Sequence, residues 1–169
     1  MGELVVVRHA IAQDRDVAAQ SGIADEARPL TGEGKRRMKK AAAGLRRLIP
    51  QIHTLASSPL QRAVQTAKVI ARVYGEPEPV QTEMLAPNAS REMLLDWAQV
   101  HSTHGLLALV GHEPDLSCWV GWLLTEEPRP ILHFKKGGAC LLAFSGQLAA
   151  GEATLCWALT PRQLRQLAD

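Results

Sequence analysis

The chain has 169 residues, of which 46% are hydrophobic and 21% charged, so it has the size and composition of one globular domain, and wholesale disorder and collagen-like repeats are excluded. Its 19 Lys and Arg residues exceed its 17 Asp and Glu residues by only two, too few for a protein that coats nucleic acid. An aromatic content of 4% argues against a base-stacking surface, and no apolar run approaches the roughly 18 residues that span a bilayer.

The N-terminal part of the chain predicts a buried strand, a loop and a long helix. Residues 4–7 form an apolar, mostly β-branched run without alternation, which is typical of a strand buried on both faces. Residues 12–29 are polar and rich in Ala, and we expect a surface loop there. Thr31 can cap a helix that continues to about Ile49, because apolar residues recur at helical spacing. The basic residues Lys35, Arg36, Lys39 and Arg46 lie off that apolar face, which indicates a solvated surface.

The middle of the chain predicts two further strands and two further helices. Residues 52–56 suit a second strand, and Ser58 is the predicted N-cap of a helix with Pro59 at its first position and Gly75 at its end. Pro77 and Pro79 mark a loop. A helix over residues 90–101 precedes an apolar strand at 106–110, which Gly111 and His112 end.

The last third completes an alternating pattern. We predict a short helix over residues 115–124, late strands at Phe134, 140–144 and 153–159, and a final helix that begins after Thr160. Apolar strands that alternate with helices predict a single α/β domain over residues 1–169, a three-layer α/β/α sandwich around a mostly parallel sheet.

The three cysteines, Cys118, Cys140 and Cys156, are widely spaced and form no C-x-x-C pair. An odd number without a paired pattern favours buried, reduced thiols over a disulfide framework or a zinc site. Arg8 and His9 end the first apolar run too early for a signal peptide. We therefore expect a cytoplasmic protein without a membrane partner.

Two histidines follow buried strands directly, at the edge where α/β sheets bind ligands. These are His9, which follows Arg8, and His112, which follows Gly111. A neutral imidazole can attack phosphorus, and Arg carries a permanently charged fork that matches phosphate oxygens in pairs. Arg62, in the first turn of a predicted helix, can reach the same edge, and His112 could add a cationic donor. Each residue alone is compatible with a structural role, and no spacing of His or carboxylates indicates a metal site.

Four separated elements resemble the histidine phosphatase superfamily, the phosphoglycerate mutase-like group, in the same order. They are Leu4-Val-Val-Val-Arg8-His9-Ala10, Leu30-Thr31-x-x-Gly34, Ser57-Ser58-Pro59-Leu60-x-Arg62-Ala63-x-x-Thr66-Ala67 and Val110-Gly111-His112-x-Pro114. The short chain is most similar to the small SixA-type phosphohistidine phosphatases. The resemblance implies that His9 is the nucleophile that becomes phosphorylated, that Arg8 and Arg62 bind the phosphoryl oxygens, and that His112 completes the pocket. It implies no metal and no cofactor.

The sequence departs from the family pattern at Ala10, where the family usually has Gly. It also leaves the proton donor open. Glu83 is the nearest match to the acidic residue of the mutase branches, and Glu113 is the second candidate. Imidazole as a leaving group needs less acid assistance than an alkoxide, so a poorly placed acid favours a phosphohistidine substrate.

The expected function is a metal-independent phosphatase that acts on a phosphohistidine-bearing protein, such as a histidine phosphotransfer domain. The first alternative is a phosphatase for small phosphate esters. A second is a non-catalytic phosphate- or phosphoprotein-binding module, although binding alone would not require His9. Nucleic-acid binding through residues 35–40 is the least favoured reading, given the small net charge.

Overall fold

The computed structural model describes residues 1–75 and 78–169, so the loop predicted at Pro77 lies partly outside the described residues. Within them, six strands form one sheet: β1 (Gly2–Arg8), β2 (Thr54–Ser57), β3 (Val80–Gln81), β4 (Leu107–Gly111), β5 (Ala139–Phe144) and β6 (Ala153–Leu159). Six α-helices accompany them: α1 (Arg15–Gln20), α2 (Gly32–Leu48), α3 (Gln61–Tyr74), α4 (Arg91–Ser102), α5 (Asp115–Thr125) and α6 (Pro161–Leu167). Short 3₁₀ helices lie at Asp25–Ala27 and Glu83–Leu85.

The sheet has the order β3-β2-β4-β1-β5-β6. The first four strands are parallel, while β5 and β6 continue the sheet in the antiparallel sense. In the central pair, Val7 of β1 lies opposite Val110 of β4, and Arg8 lies opposite Gly111. Because β1, β2 and β4 run in the same direction, their carboxyl ends meet at one edge of the sheet. The predicted mixed, mostly parallel α/β fold is confirmed.

Alternate residues of β1 enter two separate apolar cores, one on each face of the sheet. Val5 and Val7 pack with α2, α3 and α6, whereas Leu4 and Val6 pack with α4 and α5. This two-sided burial explains why the strand is a continuous apolar run rather than an alternating one. The helices therefore form the outer layers of a three-layer sandwich.

Predicted helix boundaries agree best where the sequence carries a cap. The Thr31 side chain accepts a hydrogen bond from the Gly34 amide and begins α2, and Gly75 ends α3 in the left-handed conformation with φ of 72°. Thr160 caps α6 with a reciprocal bond to Gln163, and Ser90 caps α4.

The prediction was wrong in three places. Residues 12–29 are not only loop, because Asp14 caps the six-residue helix α1, which is too short to show a helical period. Phe134 lies outside any strand, and its carbonyl oxygen accepts a hydrogen bond from the Arg8 side chain rather than from a neighbouring strand. Ser58 is not the N-cap of α3 and Pro59 is not its first residue, because α3 begins at Gln61, after Leu60, without a side-chain cap.

Two thiols also depart from the expectation of burial. Cys140 is buried in β5, but Cys118 is half-buried in α5 and Cys156 is exposed on β6, the outermost strand. Alternate residues of β6 face outward, which explains the exposure of Cys156. Within the described residues, no helix combines the length and apolar character required for a membrane span.

Candidate active site

The four residues singled out from the sequence meet at the carboxyl edge of the sheet. His9 extends β1 and donates its backbone N–H to the carbonyl oxygen of Gly111 at 3.0 Å, which brings the ends of β1 and β4 together. The ring centroids of His9 and His112 are 5.2 Å apart. Arg8, His9, Arg62 and His112 all line one cavity of about 450 Å³.

One backbone carbonyl determines which nitrogen of His9 can react. Nδ1 lies 2.7 Å from the carbonyl oxygen of Ala10, and since a carbonyl can only accept, Nδ1 carries the proton. Nε2 of the neutral ring therefore keeps its lone pair, and it has no hydrogen-bond partner among the described residues. The ring is held in the tautomer that a nucleophile requires.

The surroundings of His9 also keep its imidazole neutral. Burial lowers the pKa of His9 to about 3, and the charges of Arg62 and Arg8 act in the same direction, while the hydrogen bond to Ala10 opposes them. His9 is only 6% exposed. A side chain with this pKa is deprotonated throughout the physiological range, so the lone pair on Nε2 is permanently available.

Ala10 is accommodated where the family pattern has Gly. It is buried and does not occur among the residues with positive φ, so the backbone there does not require glycine. Its N–H donates to Oγ1 of Thr66 at 3.0 Å, and that hydroxyl donates to the carbonyl oxygen of Arg62 at 2.7 Å. Thr66 therefore links the nucleophile segment to the turn of α3 that carries Arg62.

Both arginines line the cavity, and each has one N–H group without a partner. Arg8 donates from one terminal nitrogen to the carbonyl oxygen of Phe134 at 2.7 Å, and Arg62 donates from one to the carbonyl oxygen of Asp25 at 2.8 Å. In each residue Nε is buried and has no partner within the described structure. Burial lowers the pKa of both guanidinium groups, although Arg remains charged at any physiological pH. A buried donor without a partner is costly, so its retention points to a ligand that completes it.

His112 contributes a third unpartnered polar atom. Its Nε2 lies 2.8 Å from Oγ of Ser58, and Nδ1 is buried without a partner in the described residues. Oγ of Ser58 accepts from the Leu60 amide at 3.2 Å, so its own proton is free to go to Nε2 of His112. When Ser58 donates in this way, the ring proton of a neutral His112 lies on Nδ1. The serine that sequence reasoning treated as a helix cap instead orients His112.

The surroundings of His112 favour its neutral form, whereas the cationic form was expected from the sequence beside a phosphate dianion. Burial lowers its pKa to about 4, Arg62 and Arg8 lower it further, and Asp25 opposes them. An entering phosphoryl group would add negative charge beside the ring and raise that pKa. In the tautomer with the proton on Nδ1, a neutral His112 can donate a hydrogen bond to that group through Nδ1.

Sequence reasoning missed Asp25 and Arg28, which belong to the segment predicted as a loop. The Asp25 carboxylate lies 3.2 Å from a terminal nitrogen of Arg62, 3.0 Å from Nε of Arg28 and 3.2 Å from Nε of Arg15. Burial raises the pKa of Asp25, but the arginines outweigh it and hold the pKa below its usual range. Since Asp25 takes both terminal nitrogens of Arg62, it orients the guanidinium so that Nε stays free.

The two candidate proton donors differ in position. Glu83 is exposed at the start of a 3₁₀ helix and does not line the cavity, so the preference for Glu83 is not supported. Glu113 does line it. The Glu113 carboxylate accepts from the backbone N–H and the hydroxyl of Ser117, at 3.1 and 2.7 Å, so its position is fixed.

The cationic side chains that line the cavity are only partly compensated by carboxylates, so the cavity has a net positive charge. Five cationic side chains and three carboxylates line it, which leaves a formal excess of two positive charges with both histidines neutral. The cations are Arg8, Arg15, Arg28, Arg62 and Lys136, and the carboxylates are Asp14, Asp25 and Glu113. Among the described residues, no group of three or more His, Cys, Asp or Glu side chains could hold a metal ion. The site is built to receive an anion.

Comparisons with known proteins identify a matching family and a relative. A family model described as histidine phosphatase superfamily (branch 1) matches residues 4–86. An uncharacterized protein from Picosynechococcus sp. is 36% identical over 138 residues, which cover 80% of this chain and 81% of that protein.

Solved structures show the same fold over the whole chain. The protein histidine phosphatase SixA complexed with tungstate has a TM-score of 0.80 at 21% identity and covers 96% of this chain and 99% of its own. A protein assigned as SixA from Agrobacterium tumefaciens has a TM-score of 0.77 at 21% identity, and the match covers 95% of this chain and 98% of that chain. Phosphoserine phosphatase from Entamoeba histolytica with phosphoserine has a TM-score of 0.70 at 16% identity, and the match covers 97% of this chain and 100% of that chain. On the family match and this fold, the chain belongs to the histidine phosphatase superfamily.

Proposed function

We propose that the protein is a phosphatase that removes phosphate from phosphohistidine in proteins, through a phosphohistidine intermediate on His9. The observation that carries the proposal is the free Nε2 of a neutral His9 in a cavity with three unpartnered groups, Nε of Arg8, Nε of Arg62 and Nδ1 of His112. Nε of each arginine, together with Nδ1 of His112 when Ser58 donates to its Nε2, can donate to the oxygens of a phosphoryl group while Nε2 of His9 attacks its phosphorus.

The reaction proceeds in two displacements. Nε2 of His9 attacks phosphorus, a new N–P bond forms, and the bond to the leaving group breaks with its electron pair on the leaving atom, which takes up a proton. A water molecule then attacks the phosphorus of phospho-His9, the N–P bond breaks, and inorganic phosphate is released with neutral His9 restored. Arg8, Arg62 and His112 stabilise the charge that develops on the phosphoryl oxygens in both steps.

The leaving group distinguishes phosphohistidine from phosphate esters. Imidazole leaves from phosphorus readily once its nitrogen is protonated, whereas an alkoxide requires strong general-acid assistance. Glu113 is the candidate acid that lines the cavity, but both its oxygens accept hydrogen bonds from Ser117. A carboxylate engaged in this way favours the less demanding leaving group.

A phosphatase for small phosphate esters is the second candidate, and the position of Glu113 in the cavity is the observation that favours it. Glu113 would then have to protonate the departing alkoxide. A phosphate-binding module without catalysis is the third, and in that case the cavity would bind phosphate with no turnover.

A substrate panel tests these alternatives directly. The purified protein is given a phosphohistidine peptide, a phosphoserine peptide, a phosphotyrosine peptide and an aryl phosphate, and kcat/KM is measured for each. The proposal predicts the highest value for phosphohistidine and an acid-labile, base-stable phosphoryl label on His9 during turnover. A higher value for phosphoserine would replace the proposal with an ester phosphatase, and binding without release of phosphate would indicate a binding module.

A further inference from the structure

A second cavity lies directly beside the candidate active site and has no role in the chemistry described above. We call it the basic groove; it has a volume of about 320 Å³ and lies between α2, α6 and the segment that precedes β5. Its lining includes Ala10, the neighbour of His9, and the buried Met38 and Ala41. Lys136 lines both the basic groove and the catalytic cavity, so the two are adjacent.

The charge of the basic groove is all of one sign. Five cationic side chains line it and none of its lining residues is a carboxylate: the cations are Arg37, Lys135, Lys136, Arg162 and Arg165. Arg37 pairs with Glu33 on α2, and the other four form no salt bridge within the described residues. In a chain whose net charge is only +2, five cations without a carboxylate among them make the groove a strongly positive surface.

The segment that carries Lys135 and Lys136 is held beside His9 by hydrogen bonds. The Gly137 amide donates to the carbonyl oxygens of Arg8 and His9, both at 3.1 Å, and the Arg8 side chain donates to Phe134 at 2.7 Å. Gly137 has φ of 83°, a conformation that favours glycine and permits this close approach. The position of Lys135 and Lys136 relative to His9 is therefore set by backbone hydrogen bonds, while their side chains remain exposed.

We propose that the basic groove binds an acidic stretch of the protein substrate, next to the phosphohistidine that enters the catalytic cavity; this inference rests on the proposed function. The cations of the groove attract carboxylates, and Met38, Ala41 and Pro161 provide apolar surface for the aliphatic parts of a peptide. Aromatic side chains on which nucleic-acid bases could stack are absent from its lining, which favours an acidic protein segment over a nucleic acid.

The test compares two synthetic phosphohistidine peptides that differ only in their flanking residues, glutamates in one and serines in the other. For the wild-type protein at low ionic strength, we expect kcat/KM to be about tenfold higher for the glutamate peptide, chiefly through KM, because charges at the rim of a site act on association. Added salt should reduce this preference.

Charge-reversal variants locate the preference. In the double variant Arg162→Glu with Arg165→Glu, the ratio of kcat/KM for the glutamate peptide to that for the serine peptide should fall to about one. Lys35→Glu with Lys39→Glu makes the same change in net charge on α2 outside the groove and should retain it. The use of a ratio within each variant removes effects on folding or on the chemical step.

The outcomes separate this inference from the proposed function. Equal kcat/KM for both peptides in the wild type, or an unchanged ratio in the Arg162 and Arg165 variant, would overturn the basic groove as a docking site. Hydrolysis of an aryl phosphate but of neither peptide would overturn the proposed function, and fluorescence anisotropy with the unphosphorylated glutamate peptide would still test the groove. Tighter binding of a DNA oligonucleotide than of that peptide would replace the protein partner with a nucleic acid.

Discussion

At the scale of single residues, the chemistry depends on His9, whose tautomer is set by the carbonyl oxygen of Ala10. We predict that His9→Ala reduces turnover of every substrate to background, because His9 supplies the free imidazole nitrogen that attacks phosphorus, whereas Nε2 of His112 is engaged with Ser58. Phosphate release and labelling of the protein are the measurements. His104→Ala, at an exposed position far along the chain, is the control and should retain full activity. Activity in the His9 variant would disprove the mechanism.

Arg62 is expected to act through the shape of its guanidinium as well as its charge. Arg62→Lys keeps the charge but loses both the buried Nε donor and the grip on Asp25, so we expect kcat/KM to fall by about 10²-fold. The measurement is steady-state kinetics with a phosphohistidine peptide. Arg36→Lys on the exposed side of α2 is the matched control. Comparable activity in the two variants would show that charge alone suffices.

The carboxylates Glu113 and Glu83 provide a test of the leaving group. If phosphohistidine is the substrate, Glu113→Gln should reduce its turnover by about tenfold or less, but reduce that of an alkyl phosphate by about 10²–10⁴-fold, the usual range for general-acid catalysis. Glu83→Gln, outside the cavity, should change neither rate. Both variants are assayed on both substrates, and an equally large loss from Glu113→Gln on the two would make that carboxyl an obligatory acid.

The site residues that directly follow strands could be predicted from the sequence. Those that reach the site only through tertiary contacts were missed. His9 and His112 could be found because a buried strand ends immediately before each of them. Asp25 could not, because it comes from a polar segment without periodicity and reaches Arg62 only after the chain has folded back. Ser58 was identified as an important position but for a different role, since a serine before Pro59 has the pattern of a helix cap.

At the scale of elements, the packing of α2 against α6 depends on a glycine. A Cβ atom at Gly44 would lie 1.8 Å from the carbonyl oxygen of Leu164, whereas one at Gly32 would meet nothing within 4 Å. We predict that Gly44→Ala lowers the free energy of unfolding by about 1–3 kcal/mol, the usual cost of overpacking. Gly32→Ala is the control and should be neutral or slightly stabilising, because Ala favours helix more than Gly. Urea unfolding measures both, and equal stability of the two variants would contradict the close approach.

Long helices with caps were predictable as elements, and short ones were not. The apolar period of α2 spans many turns and begins at a Thr cap, so its sequence alone defines it. α1 has six residues and only Ala18 buried, so no period can develop. The two-residue strand β3 belongs to the sheet only through its pairing with β2, and such pairing is not encoded in a local pattern.

At the scale of the whole molecule, the two cavity histidines make stability depend on pH. Burial lowers the pKa of His9 to about 3 and of His112 to about 4, whereas an unfolded chain has a His pKa of about 6.5. As the pH falls below about 6.5, the unfolded chain takes up protons that the folded chain does not, so the free energy of unfolding decreases towards about pH 4. Above about pH 6.5 the histidines are neutral in both the folded and the unfolded chain, so the stability that is lost at lower pH is fully present.

Urea unfolding of the wild type and of His9→Asn with His112→Asn between pH 7.5 and 4.5 measures this contribution. The decrease should be smaller in the double variant, since Asn does not titrate. Carboxylates titrate in both proteins, so the difference between the two is the informative quantity. An identical decrease in both would show that the histidines are not held neutral by the fold.

The charge around His9 implies that the protein recognises the ionisation state of its substrate. The formal excess of two positive charges matches a phosphoryl group that has lost both protons, which occurs above a second pKa of about 6. Below that pH the substrate becomes a monoanion, while His9, with a pKa of about 3, keeps its lone pair. The acid limb of the activity profile is therefore set by the ligand rather than by the nucleophile, and it should move with the acidity of whichever phosphoryl compound is supplied.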